Sequence, residues 1–248
     1  MKEIYENLVS GLKKFFKKNG GKKAVIGVSG GIDSAVTLKL AVDALGPNDV
    51  VGLLMPETGV SRAENINHAK QLCKFLGVQF HTITINKYLV NLQLLPWDQN
   101  LSSTINIKPR IRMILLYNYA NAHNALVLGA SNKSELMLGY GTKYGDMAAD
   151  VEVIGELYKT EVKKLASYMG LPEEIINKAP SAELYNDQTD EKEMGFTYEK
   201  LDQVLVKYKD GKEAMIDKGM SPLLVNYVFT KVERNKHKTS MPPVIKIN

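Results

Sequence analysis

The chain has 248 residues, 44% of them hydrophobic and 24% charged, a composition typical of a globular protein with one large domain. The net charge of +5 suits either nucleic acid or a polyphosphate ligand, but the sequence shows no nucleic-acid-binding module. No apolar segment is long enough to cross a bilayer, and the charged N-terminus does not resemble a signal peptide, so we expect a cytoplasmic protein without membrane partners.

Predicted helices and strands alternate along the chain. Residues 2–18 form an amphipathic pattern with apolar side chains at three- and four-residue spacing, which predicts a helix. Apolar runs bounded by glycine, proline or polar residues predict buried strands at 24–28, 50–55, 79–85 and 125–128. Helices are predicted at 35–45, 61–76, 109–123, 197–209 and 222–235. The weakly periodic stretch 86–108 is expected to be an irregular excursion with room for short helices.

This alternation predicts an α/β fold with a doubly wound, mainly parallel sheet flanked by helices, Rossmann-like, with helical additions at the C-terminus. We expect one domain over residues 1–248 that ends in a basic tail at about 236–248. Ligands of such folds bind beyond the carboxyl ends of the strands. The loops after the first and fourth predicted strands should therefore lie side by side.

The loop after the first strand has the composition of an anion site. It reads Ser29-Gly30-Gly31-Ile32-Asp33-Ser34. Its glycines let backbone N–H groups close around a phosphate, and the following helix adds its positive end. Asp33 would repel that phosphate unless a cation lay between them, and Mg²⁺ prefers carboxylate and phosphate oxygens. The alternative is a tight turn in which Asp33 caps the helix.

Other charged residues have both a functional and a structural interpretation. Glu135 is either a magnesium ligand or a first-turn acid that stabilises a helix after Ser131-Asn132. Lys159 begins a predicted helix, where a cation is unfavourable unless a phosphate compensates it; the alternative is a solvated surface lysine. Cys73, the only cysteine, falls on the apolar stripe of a helix and is expected to be a buried hydrophobe rather than a nucleophile.

The loop resembles the pyrophosphate loop of the N-type ATP pyrophosphatases, also described as the adenine nucleotide alpha hydrolase-like superfamily. Three further blocks are similar in order and spacing to the ammonia-dependent NAD synthetases, and the likeness covers nearly the whole chain: 138–146, 155–162 and 178–184. This resemblance implies that ATP is cleaved between its α- and β-phosphates. The implied reaction amidates nicotinic acid adenine dinucleotide (deamido-NAD) with ammonia through an acyl-adenylate, giving NAD, AMP and pyrophosphate.

The same resemblance implies roles for individual residues. The implied ATP-binding residues are Gly27, Val28, Ser29, Gly30, Gly31, Ile32, Asp33, Ser34, Lys159 and Ser181. Those implied for the dinucleotide are Arg110, Lys143, Asp150, His237 and Lys238. Mg²⁺ would be held by Asp33 and Glu135, and the implied catalytic residues are Asp33, Lys159 and Asp150. Asp150 or a water would accept the proton of ammonium. The chain has Ala130 where the family commonly has Thr. Either the hydroxyl contact with ATP at this position is lost, or Ser131 supplies it.

The resemblance also implies a homodimer with substrate sites at the subunit interface. Free ammonia is the expected nitrogen donor, because glutamine-dependent relatives need an extra domain with a nucleophilic cysteine. Three alternatives are a tRNA-modifying thiolase-type enzyme, a non-catalytic nucleotide-binding module, and a synthetase for another substrate such as XMP. The thiolase type needs catalytic cysteines and would bind nucleic acid, whereas we expect small-molecule partners only.

Overall fold

Parallel strands form a five-stranded sheet in the computed structural model, which describes residues 1–93 and 95–247. The strands are β1 (Lys23–Gly27), β2 (Val50–Leu54), β3 (Gln79–Thr82), β4 (Ala125–Gly129) and β5 (Val151–Glu152). Their order in the sheet is β3-β2-β1-β4-β5, so the chain winds outward in both directions from the central β1. The predicted doubly wound α/β fold is confirmed, although the short edge strand β5 was not predicted.

The helices up to the end of the sheet are α1 (Lys2–Asn19), α2 (Ile32–Leu45), α3 (Ala63–Phe75), α4 (Asn86–Val90), α5 (Leu101–His123) and α6 (Lys133–Leu138). Those that follow the sheet are α7 (Lys159–Tyr168), α8 (Glu173–Ile176), α9 (Asp190–Met194), α10 (Tyr198–Val206), α11 (Lys212–Asp217) and α12 (Pro222–Asn235). Among the described residues, no helix is both long and apolar enough to cross a membrane.

Each face of the sheet has its own hydrophobic core. Ala24 and Ile26 of β1 pack into a core formed with α1, α2, α3, α7 and α8. The neighbouring Val25 points to the opposite face, where it packs into a second core that includes Ile111 and Ala120 of α5. The loops that leave the carboxyl ends of β1 and β4 are therefore enclosed by α2 and α7 on one face and by α5 on the other.

The helix predicted at 109–123 begins eight residues earlier, at Leu101. The excursion 86–108 contains α4, a short helix of the kind that the sequence allowed there. Asn100 caps α5 by accepting a hydrogen bond from the Ser103 N–H at 2.9 Å, which explains the early start. Pro109 is accommodated inside the helix. Leu94, within the same stretch, and Asn248, at the end of the predicted tail, lie outside the described residues.

The C-terminal helices form a smaller packed group beside the sheet. Leu201 and Leu205 of α10 pack against Val225 and Val228 of α12 and against Leu138 of α6. Because α6 directly follows β4, this group is attached to the carboxyl edge of the sheet. The predicted helical additions thus help to enclose the space beyond the strand ends.

Candidate active site

The loop of residues 29–34 is held by its own hydroxyl groups. The Gly31 N–H donates to Ser29 Oγ at 3.2 Å, and Ser34 Oγ–H donates to the Gly31 carbonyl at 3.0 Å. The two serine hydroxyls lie 3.1 Å apart. Helix α2 begins at Ile32 with Gly31 as its N-cap, and no side chain caps it. The alternative interpretation of Asp33 as a helix cap is therefore wrong, and its carboxylate is available for other contacts.

Asp33 belongs to a buried cluster of one cation and two carboxylates. Lys159, the first residue of α7, is only 7% exposed. Its Nζ contacts Asp33 Oδ2 and lies 3.2 Å from Glu135 Oε1. The other Asp33 oxygen accepts a hydrogen bond from Asn132 Nδ2 at 3.0 Å. The structure thus joins the ends of β1 and β4 through residues that are about 100 or more positions apart in sequence.

Glu135 combines the two roles that the sequence offered as alternatives: it stabilises the start of a helix, and it contacts the other charged groups of the site. Its Oε2 accepts the Asn132 N–H while Asn132 Oδ1 accepts the Glu135 N–H, which completes a capping box at α6. Its Oε1 faces Lys159. Burial raises the pKa of Glu135 above its ordinary value, the ammonium of Lys159 opposes this rise, and the charge of Asp33 adds to it. The cluster has two carboxyl groups for one ammonium, an excess of acidic groups.

A third carboxylate, that of Asp190, increases this excess. Asp190 begins α9, is 4% exposed, and accepts hydrogen bonds from the hydroxyls of Tyr140 at 3.2 Å and Tyr198 at 3.3 Å. Burial raises its pKa, whereas the charge of Lys159 lowers it. The ammonium of Lys159 also lies 5.1 Å from the ring centroid of Tyr198. Sequence reasoning missed Asp190 because a first-turn acid after Thr189 looks like an ordinary helix start.

These groups line a cleft of about 720 Å³ beyond the carboxyl ends of the strands. The predicted ATP-binding residues that line it are Gly27, Val28, Ser29, Gly31, Ile32, Asp33, Ser34, Lys159 and Ser181. Ala130 and Ser131 line it as well. Sequence reasoning did not assign Lys178, which also lines the cleft and donates from Nζ to the Gly30 carbonyl at 3.4 Å. The hydroxyl of Ser181 donates to the Gln188 carbonyl at 2.7 Å, inside its own loop.

Four of the five residues predicted to contact the dinucleotide do not line this cleft: Arg110, Lys143, Asp150 and His237. Arg110 Nε donates to the Lys143 carbonyl at 3.3 Å, and Lys143 Nζ donates to the His237 carbonyl, so these three lie together. Asp150 lies apart from them, and its carboxylate accepts the Val127 N–H at 2.7 Å. Lys238 lines the cleft and donates to the carbonyls of Gly139 and Gly141.

Glu152, at the end of β5, is a partly buried acid next to the cleft. Its Oε2 accepts the Ser131 N–H at 3.1 Å, and its Oε1 is buried without a hydrogen-bond partner among the described residues. Burial raises the pKa of Glu152 to about 7, from 4.5. The folded state therefore binds this proton more tightly than the unfolded state, so stability falls as the pH rises from 4.5 to about 7.

We therefore expect Glu152→Gln to stabilise the protein at pH 8, by as much as about 3 kcal/mol, because the neutral amide avoids the cost of burying a charge. The gain should shrink as the pH falls towards 4.5, and denaturant unfolding at several pH values measures it. Glu156→Gln is the control, because Glu156 pairs with Lys133 at the surface and its loss should change stability by less than about 1 kcal/mol. Equal stability of Glu152→Gln and the wild type at pH 8 would refute this account of Glu152.

The parallel sheet, the glycine-rich loop at its central strand and the buried lysine–carboxylate cluster define a nucleotide-dependent α/β enzyme. A family model described as NAD synthase matches residues 4–242. The chain belongs to the NAD synthase family.

Individual relatives agree with this membership. The chain is 42% identical to the NH(3)-dependent NAD(+) synthetase of Methanocaldococcus jannaschii over 256 aligned residues, which cover 100% of this chain and 98% of the relative. It is similar to the structure of NMN synthetase from Francisella tularensis, with a TM-score of 0.87 and 33% identity; the match covers 99% of this chain and 98% of that one. It is also similar to the NH3-dependent NAD synthetase from Campylobacter jejuni, with a TM-score of 0.85, 35% identity and coverage of 99% of both chains.

Proposed function

We propose that this chain catalyses the ATP-dependent amidation of deamido-NAD by ammonia, which gives NAD, AMP and pyrophosphate. The observation that supports this most directly is the convergence of the 29–34 loop, Lys159 and Glu135 in one cleft at the ends of β1 and β4. The family membership and full-length relatives that are NH(3)-dependent NAD(+) synthetases point to the same reaction.

In the first step of the proposed reaction, the pyridine carboxylate attacks the α-phosphorus of ATP. A bond forms between a carboxylate oxygen and phosphorus, and pyrophosphate leaves with the electron pair of the broken phosphoanhydride bond. The carboxylate is already a nucleophile, so the protein must align the reactants and neutralise charge. We assign this task to the backbone N–H groups of the 29–34 loop, the N-terminus of α2 and the ammonium of Lys159, because they border the cleft.

In the second step, ammonia attacks the acyl carbon of the adenylate and AMP leaves. Cys73 is fully buried and burial raises its pKa to about 11, so it is unsuited to release ammonia from glutamine. The carboxylate of Asp150 is engaged by the Val127 N–H. This engagement favours a water over Asp150 as the acceptor of the proton from ammonium.

We further propose that Mg²⁺ accompanies ATP, with Asp33 and Glu135 as its protein ligands. Both are hard oxygen donors next to one ammonium. Burial, and to a lesser extent the charge of Asp33, raises the pKa of Glu135, and a divalent cation beside this carboxylate would favour its charged form. Among the residues that the structure describes, no group of three or more His, Cys, Asp or Glu side chains could hold a metal ion. This agrees with Mg²⁺ bound through one or two carboxylates together with phosphate oxygens and water. The ion would neutralise charge on the leaving pyrophosphate.

A homodimer in the cytoplasm, acting on small molecules without nucleic acid, completes the proposal. Arg110, Lys143 and His237 lie together outside the cleft of one chain, which supports a dinucleotide site that a second subunit helps to form. Leu101 and Ile114 of α5 are 68% and 59% exposed, so this helix has apolar side chains that a second copy could cover.

The decisive experiment supplies purified protein with ATP, Mg²⁺, ammonium and deamido-NAD and measures NAD, AMP and pyrophosphate. Equal amounts of all three products, with none when the dinucleotide is omitted, are the expected result. Nicotinic acid mononucleotide is tested in parallel, because the Francisella tularensis protein is an NMN synthetase. ATP cleavage that depends on the mononucleotide alone would correct the substrate, and ATP binding without any amidation would refute the proposed function.

A further inference from the structure

Arg112 is a charged residue of the cleft to which neither the sequence motifs nor the reaction steps above give a role. It lies on α5, lines the cleft, and is only partly exposed. Its Nε donates a hydrogen bond to the Met55 carbonyl at the end of β2, at 3.0 Å. Burial lowers the pKa of the guanidinium below its ordinary value, although the acids around it oppose this effect. A guanidinium nonetheless keeps its charge in proteins.

The remaining donors of Arg112 have no partner among residues 1–93 and 95–247. Within the described parts of the chain, no acceptor lies at hydrogen-bond distance from its Nη atoms, and no carboxylate lies within 4.0 Å. Three acids influence its charge from farther away, and each has another partner. Glu57 pairs with Lys108 at 2.7 Å, Asp146 accepts the Thr142 N–H at 2.8 Å, and Glu183 accepts from Asn65. One bond to Met55 leaves four of the five guanidinium donors unused.

The place of Arg112 differs from that of Lys159. Lys159 begins α7, which packs on the same face of the sheet as α2, and two carboxylates already surround its ammonium. Arg112 extends from α5, which covers the opposite face, towards the end of β2. The cleft therefore has a cation on each wall, and the one on the α5 wall has no carboxylate partner in the part of the chain that the structure describes.

The proposed first step brings two anions together, the pyridine carboxylate and the α-phosphate. Negative charge then accumulates on the oxygens of the five-coordinate phosphorus. A planar guanidinium with unused parallel donors fits two such oxygens and is stronger in a cleft from which water is excluded. Lys159 cannot supply this alone, since its charge is shared with Asp33 and Glu135.

We propose that Arg112 is a catalytic residue of the adenylation step, whose Nη donors contact the α-phosphoryl oxygens as the carboxylate attacks and pyrophosphate leaves. This inference rests on the proposed function. It involves no proton transfer by Arg112, which stays charged throughout the step.

The test is the exchange of labelled pyrophosphate into ATP, measured with Mg²⁺ and deamido-NAD but without ammonia, so that only adenylation is observed. Arg112→Gln should lower the exchange rate by about 10²–10³-fold, the usual effect of removing one donor to a developing negative charge. ATP affinity should fall by less than about ten-fold, because the lost contact is strongest in the transition state. Arg112→Lys should regain part of the exchange, since it keeps the charge without the planar fork.

Lys39→Gln is the matched control, because it removes a half-buried cation that pairs with Asp43 between α1 and α2, outside the cleft. It should lower stability without changing exchange. Wild-type exchange in Arg112→Gln, or a loss of exchange matched by an equal loss of ATP affinity, would overturn the inference. If Arg112→Gln does not fold, wild-type exchange in Arg112→Lys would overturn it instead. A wild-type protein without exchange would overturn the proposed function itself, and this inference with it.

Discussion

Replacing Lys159 by methionine should reduce NAD formation by about 10²–10³-fold in kcat, the usual cost of removing one charge-stabilising group from an active site. The ammonium is the cation that Asp33 and Glu135 share, and we propose that it also faces the phosphates of ATP. Methionine keeps a similar length and apolar stem, so the packing of α7 against α10 should be retained. Steady-state kinetics with saturating ATP and deamido-NAD measure the effect.

The same variant should lose stability in the absence of divalent cations. Without the ammonium, two partly buried carboxylates lose their counter-ion, which should cost at most about 3–5 kcal/mol, the value typical of a fully buried pair. Mg²⁺ should then restore more stability to Lys159→Met than it adds to the wild type, because the cation replaces the lost charge between Asp33 and Glu135. Thermal unfolding with and without Mg²⁺ gives this comparison.

Lys133→Met is the control for Lys159→Met. Lys133 lies two residues before Glu135, but its Nζ pairs with Glu156 at the surface, at 3.0 Å, so its loss should cost less than about 1 kcal/mol. Its activity should stay close to that of the wild type. A Lys159→Met protein with normal kcat, or one whose stability Mg²⁺ does not raise more than that of the wild type, would contradict the proposed arrangement of the cluster.

Most of the sheet could be predicted because its longer strands are contiguous apolar runs in the sequence. The apolar run from Ala24 to Val28 is typical of a buried parallel strand, and so are the runs at 50–55 and 125–128, which glycine, proline or polar residues bound. The start of α5 could not be predicted, because Pro109 resembles a first-turn residue and the true cap, Asn100, is a weak signal in a polar segment. The edge strand β5 has two residues, too few to show a period.

Some features of the candidate site could likewise be predicted from the sequence, and others could not. The 29–34 loop and the paired positions of Asp33 and Glu135 follow from a contiguous motif and from the rule that strand ends share one edge. The contacts of Asn132, Lys178 and Asp190 depend on how distant loops pack, which no local pattern records. Arg110 and Arg112 are two positions apart on α5, so their side chains leave the helix in different directions. Only the structure shows that Arg112 is the one that faces the cleft of its own chain.

Replacing Gly30 by alanine should abolish ATP binding at concentrations that saturate the wild type, a loss of affinity of at least about 100-fold. Gly30 has φ +80°, a conformation that costs an alanine about 1–2 kcal/mol. An added Cβ would also collide with the backbone carbonyl of Asn65, because the distance from this Cβ to the carbonyl carbon would be only 3.0 Å. Asn65 belongs to α3 and is 2% exposed, so its backbone cannot move aside without displacing the helix.

The collision must therefore be relieved by the 29–34 loop, whose geometry defines the proposed phosphate site. A displaced Gly30 breaks the contact of its carbonyl with Lys178 and turns the Gly31 N–H away from Ser29 Oγ. Gly46→Ala separates strain from collision, because Gly46 has φ +88° and an added Cβ there meets nothing within 4 Å. Both variants should lose comparable stability from backbone strain, but only Gly30→Ala should lose ATP affinity in calorimetric titration. If Gly30→Ala bound ATP as well as Gly46→Ala does, the close approach of this loop to α3 would not be what shapes the phosphate site.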